Sequence, residues 1–278
     1  MKKIVIAILF LLISGAKGLM AQYDGDYAGG RHSAMGNTAV TSGDIWSVMN
    51  NPAGLSQKQQ ISAGIFYETR YSIADFGTRG AAFRLPTGWG NFGIGFSVFG
   101  ISAYNEKRFT LGYGKELFPD FRAGISFEYL HTHLHDEYGK LTANKGIITF
   151  QTGLQYQLTD KTGIGFSLFN PYSARLSEYE NDYIPVLARL GLEYKAADRF
   201  LIVMEAEQNI KHDLRIKGGL EYKIKSKFLV RGGLKTNPAE YTFGAGIEFW
   251  GITFDFAFAY HLVLGYSPHG SFQYQFNK

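Results

Sequence analysis

The chain has 278 residues, with 28 Lys and Arg against 24 Asp and Glu and a formal net charge of +4. It contains no cysteine, which excludes disulfides, thiolate metal sites and anchoring through a lipidated N-terminal cysteine. Residues 1–21 carry three of the lysines and no acid, so the charge of the remainder falls to +1, and this near balance gives no reason to expect a nucleic-acid partner.

The first 21 residues have the pattern of a secretory signal peptide. Lys2 and Lys3 give a positive start, residues 4–13 form an apolar core shorter than a membrane span, and small residues follow. We therefore expect residues 1–21 to be cleaved after Ala21 and the protein to be exported. No later run of about 18 apolar residues occurs, so no transmembrane helix is predicted.

Residues 22–59 differ in pattern from the rest of the chain. The stretch 34–56 is apolar enough to be buried, but Gly36, Pro52 and Gly54 interrupt it too often for one long helix. Its apolar residues also lack the alternation of a strand that faces lipid. We expect these residues to form a compact, turn-rich hatch.

From about residue 60 onwards the chain alternates with a period of two. Between Ile252 and Leu264, one face carries Ile, Phe, Tyr and Leu, and the other carries Thr, Asp, Ala and His. The same alternation recurs at 148–158, 186–195, 214–223 and 241–249. Strands of soluble sandwiches are usually about five or six residues long, whereas segments of about ten residues with one apolar face are typical of outer-membrane barrels.

The connectors between these segments alternate in length. Residues 86–88 and 159–161 are short and turn-like, whereas residues 133–145 and 170–183 are longer and polar. This alternation predicts an all-β fold: a transmembrane antiparallel β-barrel of about 14 strands over residues 60–278, in the cell outer membrane. The alternative is a secreted all-β sandwich, which would leave charged residues opposite a core of Phe.

If the apolar faces contact lipid, the opposite faces line the lumen, where charges are tolerated when they are paired or hydrated. The candidate lumen-lining residues are Arg122, Glu128, Arg189, Glu193, Arg215, Glu221, Arg231, Glu248 and Asp255. Glycines on the same faces would leave room for the hatch to pack inside; they are Gly93, Gly95, Gly163, Gly165, Gly244 and Gly246.

A five-residue block gives the hatch its sharpest motif: Asn51, Pro52, Ala53, Gly54 and Leu55. Pro52 fixes its own φ and favours extended backbone at Asn51, whose side chain can bond nearby backbone groups in a tight turn. We expect this block to hold the hatch in its folded form.

With this block, residues 33–55 resemble the N-terminal segment of FadL-like outer-membrane barrels, especially their PorV-like relatives in the Bacteroidetes. Weaker similarity extends over 187–200, 216–234, 240–249 and 264–276. The resemblance implies a hatch-plugged, 14-stranded barrel that binds or transports a small hydrophobic compound across the outer membrane. The alternative it implies is a PorV-like accessory or docking component of type IX protein secretion. This chain is shorter than members of either group, and a shared fold does not fix function.

Other constellations give weaker signals. His131, His133 and His135 share one strand face and could bind a metal, but their positions continue the lipid-facing set, which favours a place at the headgroup boundary. We therefore predict no metal, no cofactor and no catalytic residue. The expected partners are outer-membrane lipid, a hydrophobic ligand and, under the alternative, secretion proteins, with the barrel itself a monomer.

Overall fold

The computed structural model describes residues 28–135, 141–174, 184–210, 212–225 and 227–276. The predicted signal peptide and the first residues of the predicted hatch lie outside the described residues. None of the helices in the described ranges has the length and apolar character that crossing a membrane as a helix requires.

The described chain begins with short helical turns and continues as strands. Helices α1 and α2 span Gly30–Ala34 and Ser47–Asn50, and 3₁₀ helices span Pro52–Gln57, Arg70–Ser72 and Ala74–Phe76. The strands are β1 Ser62–Thr69, β2 Gly77–Thr87, β3 Gly90–Gly100, β4 Tyr104–Phe118, β5 Phe121–His135, β6 Leu141–Thr159, β7 Thr162–Phe169, β8 Leu187–Ala197, β9 Phe200–Asn209, β10 Arg215–Ile224, β11 Phe228–Lys235, β12 Glu240–Phe249, β13 Ile252–His261 and β14 Gly265–Gln275.

The strands form one closed antiparallel barrel, in which each strand pairs with its sequence neighbours and β14 pairs with β1. Closure matters because an open sheet edge would expose unpaired backbone groups to hydrocarbon. The fourteen strands confirm the predicted architecture. The two ends of the barrel differ as expected. Two-residue connectors such as 119–120 lie at one end, and β7 and β8, which are joined by the 17 residues 170–186, meet that connector at the other end.

The two faces of each strand have opposite character, as β13 shows. Phe254 and Phe256 are 48% and 51% exposed on the outer surface, whereas Asp255 and Ala257 between them are 3% and 0% exposed on the inner surface. Every second side chain therefore faces outward, and the outward set is apolar. This arrangement is an outer-membrane-type barrel, because only a lipid environment makes an exposed belt of Phe, Leu and Ile favourable.

Two boundaries differ from the sequence-based prediction. The alternation that runs on to Leu264 predicts a longer β13, but the strand ends at His261, whose ring Nδ1 accepts hydrogen bonds from the backbone N–H groups of Val263 and Leu264 and so fixes a turn. The predicted polar loop 133–145 is wrong over most of its length, because β5 and β6 continue to pair as far as His135 and Leu141.

Phe256 gives a direct test of which face meets lipid. Phe256→Arg places a charge near the middle of β13 on the outer face, and we expect it to cost about 2–4 kcal/mol of unfolding free energy. Phe256→Leu, which keeps the site apolar, should cost far less. Urea unfolding of the barrel in lipid vesicles measures both values; equal stability of the two variants would mean that the faces are reversed.

Candidate functional site

Residues 28–59, here called the inner segment, precede β1, and residues 28–56 are almost entirely buried inside the barrel. Ile45, Trp46, Val48 and Leu55 are at most 1% exposed and pack against the inward side chain of Phe66 on β1, among other wall residues. The Trp46 and Phe66 rings meet edge to face at 5.5 Å between centroids. The apolar core of this protein is therefore in the lumen, between the segment and the wall.

The block from Asn51 to Leu55 is where the inner segment turns. Asn51 has extended backbone (φ −157°, ψ 105°), and its side-chain oxygen accepts a hydrogen bond from the N–H of Ala53, which caps the 3₁₀ helix. Its side-chain amide donates to the carbonyl oxygens of Val40 (2.6 Å) and Phe166 (3.3 Å). One asparagine thus joins two parts of the segment and the wall.

Gly54 and Leu55 complete the turn. A Cβ at Gly54 would collide with the carbonyl oxygen of Ser42 and lie 2.6 Å from the Ser47 hydroxyl, so only glycine allows the segment to fold back on itself here. The carbonyl oxygen of Leu55 accepts a hydrogen bond from the side-chain amide of Asn91 on β3, at 2.6 Å.

Glycines on the inner wall provide the surface on which the segment lies. A Cβ at Gly93 would come within 2.8 Å of Val48, one at Gly114 within 2.5 Å of the Pro52 carbonyl oxygen, and one at Gly219 within 2.5 Å of Met35. The same close approach to the segment occurs at Gly64, Gly95, Gly112, Gly124, Gly153, Gly165, Gly191, Gly233 and Gly244. Because these positions lack side chains, the backbone of the segment approaches the backbone of the wall.

Two of the six glycines that were predicted to leave room for the hatch do not do so. Gly163 faces the side chain of Glu193, and Gly246 faces Asp255 and Arg231, so both make room for wall side chains and not for the segment.

Three of the predicted lumen residues form one charged network. The Glu221 carboxylate accepts from Arg231 at 2.7 Å and, in a two-pronged contact, from Arg31 of the inner segment at 2.9 and 3.1 Å. Arg231 also binds Asp255 at 2.7 Å. Because isolated buried charges are costly, this pairing explains how the lumen tolerates them.

The network continues within the inner segment through Asp44. Its carboxylate lies 2.8 Å from His32 Nε2 and 3.8 Å from Arg31. Burial by itself raises the pKa of the Asp44 carboxyl, but His32 and Arg31 outweigh burial and hold that pKa well below its usual range. The segment therefore carries a buried carboxylate whose charge is balanced within the segment.

A second network surrounds Glu205 and Glu207 on β9. Glu207 binds Arg189, Arg215 and Lys217 at 3.0, 3.4 and 2.8 Å. Glu205 binds Lys217 and also accepts hydrogen bonds from the backbone N–H groups of Ala39 and Val40, at 2.8 and 3.0 Å. Two predicted residues, Arg189 and Arg215, therefore belong to a cluster that anchors the inner segment through its backbone.

The remaining predicted residues are scattered. Glu128 pairs with Arg108 at 2.6 Å, Glu248 pairs with Lys223 at 2.5 Å near the end with the short turns, and the Glu193 side chain lies beside Gly163. Arg122 is inward-facing and forms no ion pair with a described residue. The nine predicted residues thus share the inner wall but do not form one site.

Two important inward cations were missed by the sequence reasoning. Arg84 on β2 is 1% exposed and donates to the carbonyl oxygen of Gly43 in the segment. Arg108 on β4 donates to the Met49 carbonyl oxygen at 3.1 Å while it pairs with Glu128. Both lie on the inward positions of alternating strands, which is the signal that could have identified them.

An apolar cluster on the inner wall was also missed, and it lies at the end of the barrel with the longer connectors. Leu130, Phe169 and Leu187 face inward from β5, β7 and β8, and Ala174 and Ile184 of the β7–β8 connector cover them. All are at most 6% exposed. Most inward wall positions are polar or glycine, apart from a few such as Phe66, Ala82 and Leu229, so three large apolar wall residues beside one another are unusual.

Asn170 holds the connector over this cluster. Its side-chain oxygen accepts from the Thr149 hydroxyl and the Ala174 N–H, and its amide donates to the Ile184 carbonyl oxygen at 2.8 Å. The described part of the connector is therefore fixed at both of its ends by one buried side chain.

The candidate histidine site has a simpler arrangement. His131 and His133 lie on the outer face, and their rings stack at 6.4 Å beside Tyr129. Among the residues that the structure describes, no group of three His, Asp or Glu side chains is placed to hold a metal ion.

No protein-family model and no curated protein matches this sequence. The fold, however, is similar to solved structures. The CymD monoaromatic hydrocarbon channel matches with a TM-score of 0.71 and 13% identity, over 92% of this chain and 100% of that one. The toluene transporter TbuX of Ralstonia pickettii matches with a TM-score of 0.70 and 13% identity, over the same shares.

A FadL homologue of Pseudomonas aeruginosa matches with a TM-score of 0.69 and 12% identity, over 89% of this chain and 98% of that one. At such identities the similarity concerns the fold. The chain therefore has the fold of FadL-type barrels along nearly its whole length, which confirms the resemblance seen in its sequence.

The wall glycines give a test of how tightly the inner segment is seated. Gly124→Ala and Gly153→Ala each place a methyl group against Pro52 or Asn51, so we expect the segment to shift and ion conductance in planar bilayers to rise. Gly270→Ala is the matched control, because its Cβ would meet open space. Unchanged heat-modifiable mobility on gels would show that the barrels still fold; folded variants that conduct like the control would contradict the tight seating.

Proposed function

We propose that this protein is an outer-membrane channel for small hydrophobic compounds, with the inner segment acting as its hatch. The observation that carries the proposal is a second apolar cluster inside the barrel, formed by Leu130, Phe169 and Leu187 at the end with the longer connectors. Inward Leu and Phe at this end do not help a polar solute to enter. A hydrophobic compound that takes the place of Ala174 and Ile184 over the cluster would gain free energy by leaving water there.

The architecture of the barrel supports the same proposal. The structures that share the fold include a monoaromatic hydrocarbon channel and toluene transporters. Their similarity favours transport over catalysis and does not favour the alternative of a docking component in protein secretion.

From the apolar cluster, the proposed route continues towards the hatch. The Arg108 guanidinium lies 5.6 Å above the Phe169 ring, pairs with Glu128 and donates to the Met49 carbonyl oxygen. Arg108 thus touches the cluster and the hatch at once. Met49 belongs to the apolar core of the hatch, so displacement of Arg108 would join the two apolar regions.

The hatch determines whether the route is open. Its contacts with the wall are hydrogen bonds to backbone groups, ion pairs and close packing on glycine, and they surround it on most strands of the barrel. We infer that passage requires local movement of the segment, while the bonds from Glu205 and Glu221 keep it in the lumen.

A leucine substitution in the cluster tests the proposal. Leu130→Gln places a polar group in the apolar cluster, and we expect uptake of labelled toluene by intact cells to fall about tenfold, since burying an apolar side chain of this size contributes about 1.5–3 kcal/mol. The matched control is Leu229→Gln, which changes another inward leucine, 4% exposed, on β11 outside the cluster.

The uptake rates are normalised to the amount of folded barrel in the outer membrane. A polar solute of similar size, such as arabinose, should enter at the same low rate with either variant. Equal toluene uptake by Leu130→Gln and wild type would contradict the proposed route.

A further inference from the structure

The outward-facing charges of the barrel are all of one sign. Among the described strand residues, charged side chains at lipid-facing positions occur at Arg79 on β2 and at Lys107 and Lys115 on β4, and all three are exposed. Lys115 lies near the short-turn end. Arg79 and Lys107 lie at the opposite end, where the longer connectors are.

Arg79 and Lys107 belong to one continuous row across the outer wall. Arg79 is directly opposite Val98, Val98 is opposite Lys107, and Lys107 is opposite His131. Neighbouring strands are about 4.8 Å apart, so the Arg79 and Lys107 backbones are separated by about 10 Å. Side chains of this length can therefore reach a single headgroup between them.

The next row towards the middle of the barrel is entirely apolar. Ala81 is opposite Phe96, Phe96 is opposite Phe109, and Phe109 is opposite Tyr129. The rows are separated by two residues along each strand, or roughly 6.6 Å. The change from aromatic to cationic residues within that distance places the row of Arg79, Lys107 and His131 at the boundary between hydrocarbon and headgroups.

The cations of this row are unpaired with acids in the part of the chain that the structure describes. Neither Arg79 nor Lys107 forms a salt bridge there, and Asp75, the acid nearest to Arg79 in sequence, does not pair with it. Beyond β1, outward positions near the same end of β12, β13 and β14 are occupied by Tyr241, Tyr260 and Tyr266. Among the described strand residues, the outward charge at this end of the barrel is therefore positive and limited to β2 and β4, which favours an anion as its partner.

We propose that Arg79, Lys107 and His131 form a binding site for the phosphate groups of a phosphorylated glycolipid in the outer leaflet. Phosphate oxygens accept charge-assisted hydrogen bonds from Arg and Lys, and the aromatic row below packs against the acyl chains. This site lies on the outer surface and does not depend on what the lumen carries.

The test uses the full-length protein in nanodiscs of phosphatidylcholine that contain diphosphoryl lipid A. Native mass spectrometry counts the lipid A molecules retained by the wild type, by the Arg79→Gln/Lys107→Gln double variant and by Lys115→Gln as the matched control. We expect the double variant to retain about tenfold less lipid A than the wild type, and the control to retain as much as the wild type.

Three results would overturn the proposal: equal retention by the double variant, equal retention of dephosphorylated lipid A, or a loss with Lys115→Gln as large as with the double variant. Displacement by millimolar inorganic phosphate would assign the site to the free ion instead of the lipid. Toluene uptake measured on the same variants separates this proposal from the transport proposal, because we expect uptake to stay unchanged.

Discussion

The hydrogen bonds from Ala39 and Val40 to Glu205 show the constraint on which the rest of the structure depends. Lipid on the outside reverses the usual arrangement of a protein, so the polar and charged groups are directed inward into a confined space. There each of them needs a partner. The backbone of the inner segment supplies donors to the wall, and the wall supplies donors to the carbonyl groups of the segment, as Arg84, Asn91 and Gln155 do.

Glycine makes this exchange possible. Backbone groups of the segment reach wall side chains only because other wall positions carry no Cβ and let the two backbones approach. The apolar residues of the segment then fill the remaining space against Phe66 and Ala82. The lumen is thus packed like the interior of a soluble domain, although its wall faces lipid on the other side.

The strands, their two faces and the buried segment could be predicted from the sequence, since the alternation of residues along a strand is a local property. The faces of β13 follow from residues 252–261 alone, and the polar faces of the other strands give the lumen residues in the same way. The apolar character of residues 34–56, without alternation, indicates a segment that is buried but not in the wall.

The residue with which each lumen side chain pairs could not be predicted, because the pairing depends on the register of the whole barrel. Arg31 and Glu221 are 190 residues apart, and nothing local to either residue indicates the other. The cluster around Leu130 was missed for a related reason. One inward leucine on a single strand does not indicate a cluster. The cluster forms only because β7, β8 and their connector bring Phe169, Leu187 and Ile184 beside it.

The position of the inner segment at the start of the chain has a consequence for assembly. Gly30 donates to the hydroxyl of Ser271, 241 residues later, and Gly36 donates to Thr242, 206 residues later. The first contact needs β14 to be in place, and the second needs β12. The segment precedes every strand in the chain, yet it can be fully seated only after the last strands have formed. Seating of the segment therefore comes after completion of the wall that holds it.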